Sequence, residues 1–319
     1  MELRSGFAKW ISSLLDFRVS VGLDRHGYEK DLRRFDSYCS TYHPKESVLT
    51  EEVVRGWLAF ESSRGYLSPM SKKAAELRSL ANYIRAFGGE AYVLPYRSTP
   101  LRTSPVPHIL NDAELASLFR SIDIRATKHC YLAVRGAHSV LFRLIYTCGL
   151  RPQEGRLAKT ADLDLANGRL FLRNTKGHSE RIVVLSPQMV ELLTKYTRRL
   201  VVAAPGSEYL FPKKNGAVLS AYALGYFFKT SWRKADINAN RRDVPHIRAY
   251  DLRHRFASTM LQKWVDCGRN LYSALPILRA YMGHASITAT LYYVHLLPEN
   301  LRRSPKVDWE KLNAIIPEV

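Results

Sequence analysis

Apolar residues recur at helical spacing through most of the chain, and the pattern breaks once at a proline-rich stretch and once at two short runs of strand character. Three helical patterns stand out in the first hundred residues. Tyr28, Leu32, Phe35 and Cys39 fall on one face, with Lys30, Arg33 and Arg34 off it. A further pattern starts near Thr50 and carries Val53, Val54, Trp57 and Leu58. The next begins after Ser68 and Pro69, placing Met70, Ala74, Leu77, Ala81 and Ile84 on a stripe and Lys72, Lys73 and Arg85 outside it, and Gly88 and Gly89 end it. These predict a small helical domain over residues 1–94 with basic outer faces.

From Leu94 to Pro107 the periodicity stops at LPYRSTPLRTSPVP, and residues 95–107 are expected to form a semi-rigid, extended linker. A second domain is expected over 108–301. It opens at Asn111, whose side chain can cap a helix while Glu114 reaches back from three residues on. Val140 to Tyr146 reads as a buried helix ended by Gly149, with Arg151 in the turn and Pro152 at the first position of the next helix. Arg169 to Asn174 and Arg181 to Leu185 read as two strands joined by a polar turn holding Lys176, Gly177 and His178. Ser186 and Pro187 start another helix, and from Ala221 onward the pattern is mainly helical. The expected fold is mainly α with a small β-hairpin, followed by a tail over 302–319.

Charge changes the picture. A 319-residue chain with 46% hydrophobic residues can bury the cores of about two domains, yet this one carries a net charge of +19 spread along its whole length. Such an excess points to a polyanion that meets both halves, DNA or RNA first. Lys72 and Lys73 on the helical domain and Arg97 and Arg102 on the linker are the candidate contacts, with the linker following a duplex while the domains clamp it. The four cysteines are far apart and read as buried thiols in a reducing compartment. No apolar run is long enough to cross a bilayer, and the charged residues among the first twenty interrupt any signal core. A cytoplasmic protein without a membrane partner is expected.

Cutting a phosphodiester requires a nucleophile, positive groups on the non-bridging oxygens and an acid for the leaving oxygen. The chain shows no carboxylate cluster suited to Mg²⁺ and no zinc spacing, so chemistry without a metal or other cofactor is the simpler expectation. Arg151 and Arg253 suit the phosphate, since a guanidinium donates two parallel hydrogen bonds and keeps its charge. Glu154 is either an ion-pair partner of Arg151 or a group that orients it.

The motifs GLRPQE (Arg151), TKGHSERIVVL (Lys176), DLRH (Arg253), MGH (His284) and the tyrosine pair Tyr292-Tyr293 occur in order across about 190 residues. In that order and spacing they resemble the catalytic domain of the tyrosine recombinase, or phage integrase, family and its mobile-element members. The resemblance implies that Arg151, Arg253 and His284 stabilise the transition state and that Lys176 is the general acid. It places the nucleophile nine residues after His284, at Tyr293, with Tyr292 the competitor. Only one of two adjacent helical residues can face a site. Where the second box usually opens with histidine this chain has Tyr250, as some members do, and His246, Arg248 or His178 are the alternatives for its role. His178 and Arg248 are also candidate DNA contacts. The interval between Arg253 and His284 is longer than usual in the family.

The resemblance further implies a site-specific DNA recombinase acting on double-stranded DNA through a 3′-phosphotyrosyl link. It would act as a dimer on one site and a tetramer in synapsis, with accessory or partner recombinases possible and the tail over 302–319 exchanged between protomers. The rival readings are a type IB topoisomerase-like activity and a catalytically impaired DNA-binding or accessory protein.

Overall fold

Phe7, Ile11, Leu14 and Leu15 recur at helical spacing and turn one face of α1 (Ala8–Ser20) into a core. The computed structural model describes residues 3–23, 25–64, 70–96, 107–128, 132–173, 180–235 and 245–295. It divides the chain into two units, Met1–Pro105 and Val106–Val319.

In the first unit α1 is joined by α2 (His26–Tyr42), α3 (Glu51–Ser63) and α4 (Met70–Ala86). The three helical patterns thus become α2, α3 and α4, and α1 is added to them. Thr50 starts α3 by accepting a hydrogen bond from Val53 N, with Glu51 and Glu52 in the positive first turn. Phe35, Trp57, Leu77 and Ile84 close the core with the α1 face, and the Phe35 and Trp57 rings meet edge to face at 5.5 Å.

One basic residue is not where the stripe puts it. Lys73, expected on the outer face as a DNA contact, is fully buried and paired with buried Glu61. The cause is a partner that periodicity within α4 cannot reveal, because Glu61 comes from α3 together with Arg34 of α2, 2.7 Å from the same carboxylate. Lys72 is half exposed, yet its Nζ lies 2.7 Å from Asp31 and 3.0 Å from Glu76, both buried.

The second unit begins with α5 (Asp112–Lys128), held by the expected reciprocal cap: Glu114 N donates to Asn111 Oδ1 at 2.9 Å and Asn111 N to Glu114 Oε2 at 2.8 Å. Next come α6 (Ala137–Thr147) and the short α7 (Pro152–Leu157). A three-stranded antiparallel sheet follows, of β1 (Leu163–Asp164), β2 (Arg169–Leu172) and β3 (Arg181–Val184), in which Leu172 pairs with Arg181. The two expected strands are β2 and β3, and β1 extends them. Helices α8 (Pro187–Ala203) and α9 (Ala221–Arg233) complete a core around Leu141, Phe142, Leu170, Val183, Leu193 and Phe228.

A satellite core is built by α10 (Asp251–Asp266), α11 (Leu271–Met282) and α12 (Thr288–His295), with Leu261, Leu275, Met282, Leu291 and Tyr293 inside it. Two cysteines, Cys39 and Cys148, are buried as expected, but Cys267 is exposed, because it follows the last turn of α10 where the chain leaves the core at Gly268. Cys130 lies outside the described residues. Among the described residues no helix is long and apolar enough to cross a membrane.

Candidate active site

The site begins where α6 stops. Gly149 takes a left-handed conformation (φ 60°), and the Phe256 ring would lie 2.4 Å from a Cβ there, so only glycine turns the chain this tightly. The turn presents Gly149 O inward and delivers Arg151 to the start of α7, ahead of Pro152. Arg151 N donates to Glu154 Oε2 at 2.7 Å while its Nη1 donates to Glu154 Oε1 at 2.7 Å. Glu154 is therefore both the ion-pair partner of Arg151 and the group that orients it.

Arg253 projects from the first turn of α10 with no exposed surface. Its Nη1 donates to Gly149 O at 2.7 Å, its Nη2 to Met282 O at 2.5 Å, and Glu154 lies 3.9 Å away. Its Nε is buried without a hydrogen-bond partner. A third arginine joins them. Arg181, on β3, makes a bidentate pair with Glu154 at 2.8 Å through each nitrogen and donates from Nε to Tyr281 O at 2.9 Å.

Arg181, Arg253 and Arg151 thus cap three successive carbonyls, those of Tyr281, Met282 and Gly283, at the negative end of α11. Burial raises the Glu154 carboxyl, but Arg181 and Arg151 outweigh it and hold the group below its ordinary range. Burial lowers the Arg253 guanidinium, which keeps its charge near neutral pH all the same. Three guanidiniums against one carboxylate leave a surplus of positive charge, the condition for gripping an anion.

The left-handed Gly283 (φ 63°) ends α11 and places His284 beside the cluster. His284 Nδ1 lies 2.8 Å from Thr290 Oγ1, and burial, reinforced by Arg253, Arg151 and Arg181, lowers its pKa to about 3. It is a neutral imidazole at pH 7. On α12 the tyrosine pair separates as helical geometry demands: Tyr292 is 41% exposed and Tyr293 only 2%. Tyr293 lies nearly parallel to His284, with ring centres 5.8 Å apart. Burial raises its phenol to about 12, against the pull of the Arg253 charge.

Tyr250 stands just before α10 with its ring centre 5.0 Å from that of His254, and the His254 ring centre in turn lies 5.4 Å from that of Tyr293. His254 is buried, its Nδ1 has no hydrogen-bond partner, and burial with Arg248 and Arg253 nearby lowers it to about 4.

The structure therefore brings together Arg151, Arg253, His284 and Tyr293, with Tyr250 linked to them through His254. Lys176, His178, Arg97 and Arg102 lie outside the described residues. Arg248 is half exposed, 3.7 Å from Asp251, and His246 is exposed. Lys72 and Lys73 belong to the other unit. Arg181 and His254 were not singled out from sequence. Arg181 carried a signal, since it alternates with exposed Ile182 and Val184 and shares its strand face with buried Val183. A charged residue on the buried face of a strand needs an opposite charge.

Residues 109–300 match the phage integrase family. A putative integrase/recombinase of Sinorhizobium fredii, y4rE, is 33% identical over 89% of this chain and 90% of its own length. Among solved structures, the XerH site-specific recombinase bound to palindromic difH substrate in a post-cleavage complex superposes with a TM-score of 0.67, at 20% identity over 97% of this chain and 98% of that one. A lambda integrase dimer bound to a COC′ core site superposes with a TM-score of 0.63, at 14% identity over 89% of this chain and 94% of that one.

Proposed function

The chain belongs to the phage integrase family, and from that membership we propose how its residues divide the work of a site-specific DNA recombinase. Tyr293 Oη attacks the scissile phosphorus. A bond forms between the phenolic oxygen and phosphorus, the bond from phosphorus to the 5′ oxygen breaks, and the products are a 3′-phosphotyrosyl link and a free 5′ hydroxyl. Arg151 and Arg253 hold the non-bridging oxygens, and Arg253 also stabilises the phenolate as its proton passes to water. His284 acts as a neutral hydrogen-bonding group. Lys176 gives its proton to the leaving 5′ oxygen. The phosphotyrosyl ester conserves the energy of the broken link, so the 5′ hydroxyl of a partner strand reverses the step and joins the strands.

The observation that carries this assignment is the meeting of a buried tyrosine with two guanidiniums that share one carboxylate. A protein that only binds DNA has no need of a nucleophile placed there, and the impaired-binder reading is not favoured. Double-stranded DNA is the partner. A dimer on each recombination site and a tetramer in synapsis fit this reading, as does a protein working in the cytoplasm on the nucleoid.

Covalent trapping tests the assignment. Nicked duplexes drawn from the DNA flanking its gene are incubated with the protein and resolved on a denaturing gel. An adduct is expected that maps to Tyr293 by peptide mass and disappears in Tyr293→Phe, which should still bind DNA. An adduct that persists in Tyr293→Phe, or maps to Tyr292, overturns it.

A further inference from the structure

Of the three arginines around Glu154, Arg181 alone has all three of its nitrogens engaged by the protein. Every nitrogen of Arg181 is engaged by the protein, Nη1 and Nη2 by the Glu154 carboxylate and Nε by Tyr281 O, and its side chain is 8% exposed. By contrast, Arg253 Nε is unpartnered. Arg181 also sits where Gly283 approaches, since a Cβ on that glycine would lie 3.0 Å from Arg181 Nη1. It is thus packed between the carboxylate that orients Arg151 and the helix end that receives Arg253.

We propose that Arg181 is the positioning residue of the phosphate grip: it pins Glu154 to the C-terminal end of α11 and so sets the spacing between Arg151 and Arg253. The proposal rests on the recombinase assignment above. Its logic is geometric. Glu154 touches Arg151 at 2.7 Å and Arg181 at 2.8 Å but stands 3.9 Å from Arg253. The bidentate hold of Arg181 keeps the carboxylate from swinging toward Arg253 and occupying the donors that a phosphate needs. Arg253 then hydrogen-bonds two neutral carbonyls, with the carboxylate 3.9 Å off, and its charge is left to the substrate.

The test uses the full chain, Arg181→Gln and Arg181→Lys, with nicked duplexes whose scissile position has been mapped by trapping. Each duplex is made with an ordinary phosphate or with a methylphosphonate there. The methylphosphonate replaces one charged non-bridging oxygen by a neutral methyl group and lessens the demand for two well-spaced cations. Single-turnover adduct rates at saturating DNA are measured beside the DNA dissociation constant.

DNA affinity is expected to change less than about threefold, since Arg181 itself meets no phosphate. On the ordinary phosphate, Arg181→Gln is expected to slow adduct formation about a hundredfold, and Arg181→Lys, which keeps the charge but not the fork, about tenfold. On the methylphosphonate both deficits should shrink. Equal deficits on the two substrates, or none on either, overturn the proposal. Should Arg181→Gln lose DNA affinity and its melting transition, Arg181→Lys carries the same comparison alone. A wild-type protein that gives no Tyr293-dependent adduct removes the recombinase assignment itself, an outcome distinct from a defect confined to the variants.

Discussion

Each unit of this molecule buries a cluster of charges, and the two clusters are composed differently. In the helical unit Asp31, Glu61 and Glu76 face Lys72, Lys73 and Arg34, so carboxylates and cations are matched in number. In the second unit the single carboxylate of Glu154 faces Arg151, Arg181 and Arg253. A matched cluster offsets its own charge and ties helices together. An unmatched one, with its excess held by helix carbonyls, is incomplete until an anion arrives. On the proposed assignment the difference separates a basic residue that builds a fold from one that does chemistry, and net charge alone does not make that distinction.

Removing the one carboxylate should break the contrast most sharply. Glu154→Gln leaves three arginines without their counter-charge, and a loss of about 3 to 5 kcal/mol in urea unfolding is expected. A fall of at least about a hundredfold in adduct formation should accompany it. If both quantities stay near wild type, Glu154 does not organise the site.

The matching change in the other unit should cost stability without touching the chemistry. Lys73→Met removes one of two cations from Glu61, and Arg34 remains beside that carboxylate. A loss of about 3 kcal/mol is expected, with the adduct rate at saturating DNA unchanged. A selective loss of DNA affinity with unchanged stability would instead return Lys73 to the DNA-facing role that its place off the apolar stripe suggested.

The smallest effect is a pH dependence of opposite sign in the two units. Burial, with Asp31 adding and Lys72 opposing, raises Glu76 from 4.5 to about 7. Its contribution is complete below the unfolded value and is lost as pH rises through 7. Burial lowers His254 and His284 from 6.5 to about 4 and about 3. Their contribution is complete above 6.5 and is lost as pH falls toward those values. The melting temperature of Glu76→Gln relative to wild type should therefore rise between pH 5 and pH 8. A constant difference across that range would show that Glu76 does not titrate in it.

Local rules read the chain well wherever cause and effect lie within one turn. The Asn111–Glu114 cap, the Gly149 stop, Pro152 opening α7 and the separation of Tyr292 from Tyr293 are all of this kind. Misreadings occurred where the partner comes from elsewhere in the chain. Lys73 is neutralised by residues of α2 and α3, and Arg181 by a glutamate that precedes the sheet. His254, one turn after Tyr250, is the buried ring beside it, whereas His246 and Arg248, the alternatives for the role of Tyr250, are exposed. Periodicity locates a charged residue on a face. It does not show what the neighbouring element puts opposite.

With Tyr293 as the proposed nucleophile, its near-complete burial has a consequence for the lifetime of the covalent intermediate. Any phosphotyrosyl ester has two possible fates, attack by a DNA hydroxyl or attack by water, and only the first preserves the chromosome. An ester formed at a phenol enclosed by His254, His284 and the α12 core starts its existence away from bulk solvent, while the competing hydroxyl is delivered by a DNA strand held in the same complex. Fidelity against hydrolysis is then a matter of access, set by how deeply one side chain sits rather than by any group that recognises water.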